Sequence, residues 1–260
     1  MEPHTGGAIQ KIIHQIWIGK NPLPTIWMDT VRHFAEAHGY KYKLWKDADI
    51  SSLHMDSVPG LAAVYKSFGG ELAGRADIIR MLVLYNEGGL YIDADTVILK
   101  PEQFNEFLEK NKAAVFFGWE EIPEARIKKL DVDAAIKRSK RMVANGIIGA
   151  EKGHPFFKEL LEGVVENVKD NAESQAWKAV GPHYVTRKYR ETRKKHPDVH
   201  VYPMKYFYPR HWAGIKDPRL HEKVRVPKES MMFQYGYSTN SFAKYFKKLA
   251  ARKTRRRSHS

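Results

Sequence analysis

One run constrains this chain more than any other: Gly74-Arg75-Ala76-Asp77-Ile78-Ile79-Arg80 through Asn86-Glu87-Gly88-Gly89-Leu90-Tyr91-Ile92-Asp93-Ala94-Asp95. Ile78, Ile79, Leu82 and Val83 recur at helical spacing, and Leu84 and Tyr85 extend the apolar face. Glu87-Gly88-Gly89 ends the helix, with a glycine free to take the left-handed C-cap. Leu90-Tyr91-Ile92 then reads as a short buried strand, and Thr96-Val97-Ile98-Leu99 stays apolar until Lys100-Pro101. A strand running through Asp93 and Asp95 puts both on one face. Paired carboxylates at the end of an apolar strand repel and are costly to bury unless a cation lies between them. A hard divalent metal that also holds a diphosphate satisfies that arrangement. Asp77 and Arg80 are three apart and share a helix face, where they could converge on the same ligand. The plainer readings are a solvated strand end and a surface ion pair of little energetic worth.

The 260 residues fit one large α/β domain with a small insertion better than two domains, and 43% hydrophobic content supports a sizeable core. No window approaches the apolar length a membrane span needs. Met1 to Ala8 lacks the charged-then-apolar form of a signal peptide. Without cysteine, no disulfide framework or thiolate zinc site is available. These features favour a cytoplasmic protein, peripheral at the inner membrane face if its tail binds lipid. The net charge is +14, and Lys244 to Arg257 holds eight basic residues and no acid, leaving 14 − 8 = +6 elsewhere. Phe242, Tyr245, Phe246 and Leu249 are spaced for an amphipathic basic helix suited to an anionic membrane surface. The alternative is a solvated terminus, with Arg255 to Ser260 disordered in either case. Such a patch attracts any phosphate, but no specific nucleic acid is expected.

The expected domain spans 8–243, followed by the basic tail at 244–260. Residues 26 to 38 read as a helix, Tyr40 to Trp45 as a strand, Ala113 to Gly118 as a core strand and 156 to 168 as an amphipathic helix. Arg187 to His196 is a basic run at a helix end, and Val199 to Tyr208 alternates like a strand. Residues 121–142, rich in both charges, are the expected insertion, mobile loop or acceptor-facing lid. Asp47-Ala48-Asp49 is a second D-x-D, but no glycine-stopped helix precedes it, so it reads as a loop or helix cap. No internal repeat or low-complexity linker is present.

The central run resembles the sugar-binding segment of glycosyltransferase family 32, the D-x-D family that includes the yeast initiating α-1,6-mannosyltransferase. It is also similar to the corresponding segment of the clostridial large glucosylating toxins. Lys11 to Gly19 looks like the family's opening strand, Asn145-Gly146-Ile147-Ile148-Gly149-Ala150 with Gly153-His154-Pro155-Phe156 like its next block, and Gly181-Pro182 like its later turn. The resemblance implies the GT-A architecture, a single Rossmann-like α/β domain. It also implies a nucleotide-sugar donor, retention of anomeric configuration and a divalent cation, usually manganese or magnesium. Carried over, Trp17 stacks on the nucleobase, Asp77 and Arg80 hold the donor sugar's hydroxyls, and Tyr91 lines the donor pocket. Asp93 and Asp95 are the D-x-D pair, Asp95 the more direct metal ligand, and Asn145 lies near sugar or acceptor. For Trp17 a core position in an Ile-rich strand is the alternative.

Near the end the chain departs from the pattern. Family members usually carry a His followed several residues later by Ser-Trp. Here Gln234 stands where the His would be, Ser241 is retained and Phe242 replaces the Trp. Gln234 and Ser241 are thus the remaining candidate metal ligands, since an amide carbonyl can bind a hard cation. Weak metal binding, a different third ligand and an inactive enzyme all stay open. His211, in His211-Trp212-Ala213-Gly214, reads as structural.

The expected function is therefore transfer of a hexose from a nucleotide-diphosphate sugar, UDP-sugar favoured, to a glycan or lipid-linked acceptor. A metal on the diphosphate offsets charge developing on the leaving group while the sugar passes through an oxocarbenium-like state. No Asp or Glu near the motif is assigned to attack, which suits front-face retention with the leaving diphosphate taking the acceptor's proton. Two rivals are a transferase-like glycan- or membrane-binding protein, and a metal-dependent phosphoryl or nucleotidyl transferase. The second needs a further carboxylate cluster, and none is evident beside Asp93 and Asp95.

Overall fold

The computed structural model describes residues 8–122, 140–170 and 175–257. Its frame is a six-stranded sheet in the order β2-β1-β3-β6-β5-β7. The strands are β1 (Ile12–Ile16), β2 (Lys41–Trp45), β3 (Gly89–Ile92), β5 (Val115–Glu121), β6 (Arg141–Ala150) and β7 (Val199–Tyr202). β1 runs parallel to β2 and β3, β5 runs parallel to β7, and β6 is antiparallel to both β3 and β5 between them. A two-stranded antiparallel sheet of β4 (Thr96–Ile98) and β8 (Met232–Gln234) stands beside it.

The helix expected from periodicity is α3 (Leu72–Glu87), whose Ile78, Ile79, Leu82 and Val83 are fully buried. Gly88 ends it at φ 68°, and Gly89 follows at φ 94°. A Cβ at Gly89 would stand 2.5 Å from the Ile12 carbonyl oxygen, so the approach of β3 to β1 requires glycine there. With α2 (Leu61–Ser67), α5 (Pro155–Asp170) and α7 (Pro182–Thr192), α3 covers one face of the sheet. The other face is covered by α1 (Thr25–Ala37), α4 (Pro101–Lys110) and the short α8 (Met204–Phe207). The remaining helices are α6 (Ala176–Ala179) and α9 (Ala243–Arg257). This is the expected α/β architecture, a mixed sheet rich in parallel pairs and covered on both faces.

Several local expectations change. Asp93 and Asp95 are not on a strand: β3 stops at Ile92, the Thr96 N–H donates to the Asp93 carbonyl at 3.0 Å, and the chain turns into the second sheet. The alternation after Val199 ends at Pro203, and α8 replaces the rest of the strand because proline cannot donate to the ladder. The tail is helical through Arg257, including 255–257, which the composition marked for disorder; residues 258–260 lie outside the description. Most of the expected insertion or lid, 123–139, also lies outside it, and its two ends are the paired strands β5 and β6. Asp47 and Asp49 behave as caps, accepting the N–H groups of Gly19 and Lys46 at 2.8 Å each.

Candidate active site

The carboxyl ends of parallel strands are where open α/β sheets bind ligands. Here those ends deliver Trp17 after β1, the Asp93-Ala94-Asp95 turn after β3, and Glu120 at the end of β5, all lining one open cavity of about 290 Å³. Arg80, Tyr91, Asn145, Gln234, Tyr237, Ser238 and Thr239 line it as well.

Two of its groups, Arg80 and Asn145, form a polar triangle with Asp77. Asp77, on α3, accepts from Asn145 Nδ2 at 2.9 Å and pairs with Arg80 at 3.1 Å. Arg80 reaches Asp93 at 3.4 Å, donates to the Asn145 carbonyl and lies over the Tyr91 ring at 4.6 Å. Burial by itself would lower the Arg80 pKa, but Tyr91, Asp93 and Asp77 more than reverse this, so the guanidinium stays charged. Burial pushes the Asp77 carboxyl up to about 6 despite Arg80 and the Asn145 hydrogen bond. Asp77 stands behind the cavity wall, whereas Arg80 and Asn145 form part of it.

The D-x-D pair is held from both sides. Asp93 accepts from Tyr91 Oη at 2.6 Å and from Gln234 Nε2 at 2.7 Å. Asp95 accepts the Tyr237 N–H at 2.6 Å through Oδ2. Its Oδ1 is buried and, among the described residues, completes no well-formed hydrogen bond, although the neighbouring Gln234 side chain favours the charged carboxylate. Burial, then the Asp93 charge, pushes the Asp95 carboxyl up to about 7. A buried carboxylate oxygen with no well-formed hydrogen bond, near a second carboxylate, fits a hard cation. Among the described residues no group of three or more His, Cys, Asp or Glu side chains is placed to hold a metal, so substrate phosphates and water would complete the coordination.

Gly146 makes the crowding possible. A Cβ there would stand 2.6 Å from Asp93 Oδ2 and 2.7 Å from Gln234 Nε2. Phe116 pairs with Gly149 while Gly118 pairs with Ala144, so β6 bulges at 145–148. The bulge turns Asn145 toward Asp77 and Gly146 toward Asp93.

Trp17 is half-buried, lines the cavity and meets Tyr237 edge to face at 4.9 Å. Gln234 sits beside the carboxylates with its amide nitrogen, rather than its carbonyl, directed at Asp93. Ser241, expected among the metal ligands, is exposed at φ 57° and does not line the cavity. The bond from Tyr237 to Asp95 and the burial of Phe242 turn that loop so that Ser238 and Thr239 face inward instead. Sequence reasoning missed Glu120, Tyr237 and Gly146. Glu120 had a signal, a carboxylate closing the apolar run from Val115; the role of the Tyr237 N–H had none.

Residues 24–114 match the model of a glycosyltransferase sugar-binding region containing the DXD motif, and 149–254 match an alpha 1,4-glycosyltransferase conserved region. The chain is 28% identical over 159 residues to inositol phosphoceramide mannosyltransferase 3 of Schizosaccharomyces pombe, covering 60% of this chain and 37% of the relative. It is 30% identical over 116 residues to the initiation-specific alpha-1,6-mannosyltransferase of Candida albicans, covering 42% of this chain and 28% of the relative. The chain therefore spans less than half the length of these relatives. Among solved structures, PaToxG Glycosyltransferase is similar at 21% identity, 74% of this chain, 72% of that chain and a TM-score of 0.49. The two matched regions take in the D-x-D turn and the loop that caps Asp95, and along both the chain is similar to glycosyltransferases.

Proposed function

We propose that this chain moves a hexose from a nucleoside-diphosphate sugar to a glycan or lipid-linked acceptor, with retention of configuration and with manganese or magnesium. The observation that carries the reading is the buried oxygen of Asp95 that completes no well-formed hydrogen bond, beside Asp93 and in one cavity with Arg80 and Asn145. Asp93 and Asp95 would hold the cation, whose charge would offset that developing on the departing diphosphate. Arg80 and Asn145 would meet the donor sugar's hydroxyls, with Asp77 holding both in place. Trp17 would offer its face to the base. Mannose is the first sugar to test, because the relatives named above are mannosyltransferases, and UDP and GDP donors are both to be tried.

The test is a panel of UDP- and GDP-sugars with purified protein and manganese, following release of nucleoside diphosphate. Release from one donor is expected, lost with chelator and reduced on the order of 100-fold in Asp95→Ala, the scale for removing one electrostatic stabiliser. Absence of release from every donor, with no metal-dependent nucleotide binding by calorimetry, overturns the reading. One observation favours a second reading, a transferase-like protein that binds glycans without turnover: the Gln234 amide nitrogen already satisfies part of Asp93. Binding of a donor without its consumption would select it.

A further inference from the structure

β7 is one of the two outer strands of the main sheet, and among the described residues it pairs with β5 alone. A groove of about 540 Å³ adjoins it, lined by the strand's own residues, by Pro197 and by Tyr189, Arg193 and Lys194 at the end of α7. None of these residues lines the D-x-D cavity. Register decides which main-chain groups the outer edge presents. In a parallel ladder one residue turns its N–H and its carbonyl to the same neighbour, and the next turns both away. The Asp198 carbonyl accepts the Val115 N–H at 3.3 Å, and Val115 pairs with Val199. Residues 198, 200 and 202 therefore bond β5, whereas Val199 and Val201 turn their main-chain groups outward. The His196 carbonyl takes the Val199 N–H at 3.2 Å. The Val199 carbonyl and both groups of Val201 are left for an incoming strand. Pro197 and Pro203 offer no N–H on either side, which keeps any pairing short.

The same edge carries positive charge that the fold does not neutralise. Within the basic run that ends α7, Arg187 and Lys188 reach Glu191 at 3.8 and 3.7 Å, and Lys195 pairs with Glu159. Arg193 and Lys194 are exposed, and among the described residues neither meets an acidic side chain. Asp198, at the start of the strand, is engaged by the buried His154 at 3.2 Å. Tyr189 and Arg193 are four apart and share a helix face. Tyr189 packs in the core cluster that holds Val199 and Val201, which sets Arg193 on the valine side of the strand.

We propose that the outer edge of β7 is a docking site for an extended acidic segment of another protein, which adds as a short strand and sets its carboxylates against Arg193 and Lys194. In strand addition the main-chain hydrogen bonds supply affinity and the side chains supply specificity. Here the specificity element is a pair of cations with no acid of their own. An acidic strand suits both features, because pairing needs an extended chain and alternate residues of that chain fall on one face. A phosphate polymer or a lipid surface uses the charge but leaves the main-chain groups of Val199 and Val201 unmet. Docking at this edge is separate from turnover, since the groove and the D-x-D cavity share no residue.

The experiment uses the full chain and a fluorescein-labelled hexapeptide of alternating glutamate and valine, with binding read by fluorescence anisotropy at low salt. The peptide should bind saturably, and its counterpart with lysine in place of glutamate should not. Arg193→Glu combined with Lys194→Glu should weaken binding at least tenfold with the melting temperature unchanged. Methylating the peptide nitrogens, which blocks strand pairing and leaves the protein untouched, should weaken it as much. Amide hydrogen exchange at Val201 should slow when the unmodified peptide is bound. The proposal is overturned if the acidic peptide does not bind, if the charge-reversed protein binds it equally, or if the methylated peptide binds as well as its parent. Preference for single-stranded RNA or for phosphatidylserine vesicles over the peptide, through the same two residues, overturns it as well.

Discussion

Asp95 shows how a single residue records its ligand. In an unfolded chain an aspartate titrates near 4; here the carboxyl is pushed up to about 7, and Asp77 to about 6. The native state therefore holds protons that the unfolded state has released between about pH 4 and pH 7, and stability falls as pH rises through that window. Thermal denaturation in chelator should show the melting temperature dropping by several degrees from pH 4.5 to 7.5, since each kcal/mol is worth about 2–4 °C in a chain of this size. Asp95→Asn should flatten most of that slope, and manganese should restore the wild type at pH 7.5. A variant whose melting curve parallels wild type across the range would show that Asp95 is not the group responsible. The pairing of Asp93 with Asp95 was legible in sequence as spacing. Its setting on a turn was not, because Thr96 pairs with Gln234 in a different sheet.

At the level of elements, α9 departs furthest from its composition. The expected apolar stripe exists, but the protein itself buries it: Phe242 is 3% and Phe246 2% exposed, and Leu249 packs with them against the cluster around Trp27. Phe246 stacks on Tyr237 at 5.7 Å, and the Tyr237 N–H holds Asp95. The helix thus buttresses the loop that closes the site. Phe246→Ala should cost about 3–5 kcal/mol in urea unfolding, the range for truncating a buried phenylalanine, and should weaken nucleotide binding by calorimetry. Tyr245→Ala, on the exposed side at 37%, should do neither. Equal effects from the two would mean that the helix is not docked as described.

For the whole molecule, the relevant quantity is charge. The chain carries +14, and Lys244, Lys247 and Lys248 project from α9 into solvent. Among the described residues no helix is long and apolar enough to cross a membrane. With the apolar stripe of α9 already buried, any hold on a membrane through this helix would be electrostatic. Binding to vesicles containing anionic lipid should be strong at low ionic strength and mostly lost by about 0.5 M salt, as the Debye length shrinks from about 10 Å at 0.1 M toward 3 Å at 1 M. Reversing the three lysines to glutamate should abolish it without altering the melting temperature. Binding that survives high salt would instead require insertion of apolar groups.

The sequence by itself determined the helix, its glycine stop, the buried strand and the carboxylate pair, because periodicity, left-handed glycine and an apolar run all act within about 20 residues of chain. Tertiary structure decided everything that depends on distant partners. It brought the Tyr237 N–H to Asp95 across 142 positions and Gln234 to Asp93 across 141. It turned Ser241 away from the cavity, bulged β6 so that Gly146 makes room for Asp93, and brought Glu120 into the same cavity lining. Strand pairing and loop packing choose those neighbours by shape and hydrogen-bond satisfaction over long separations, which no local window of residues contains.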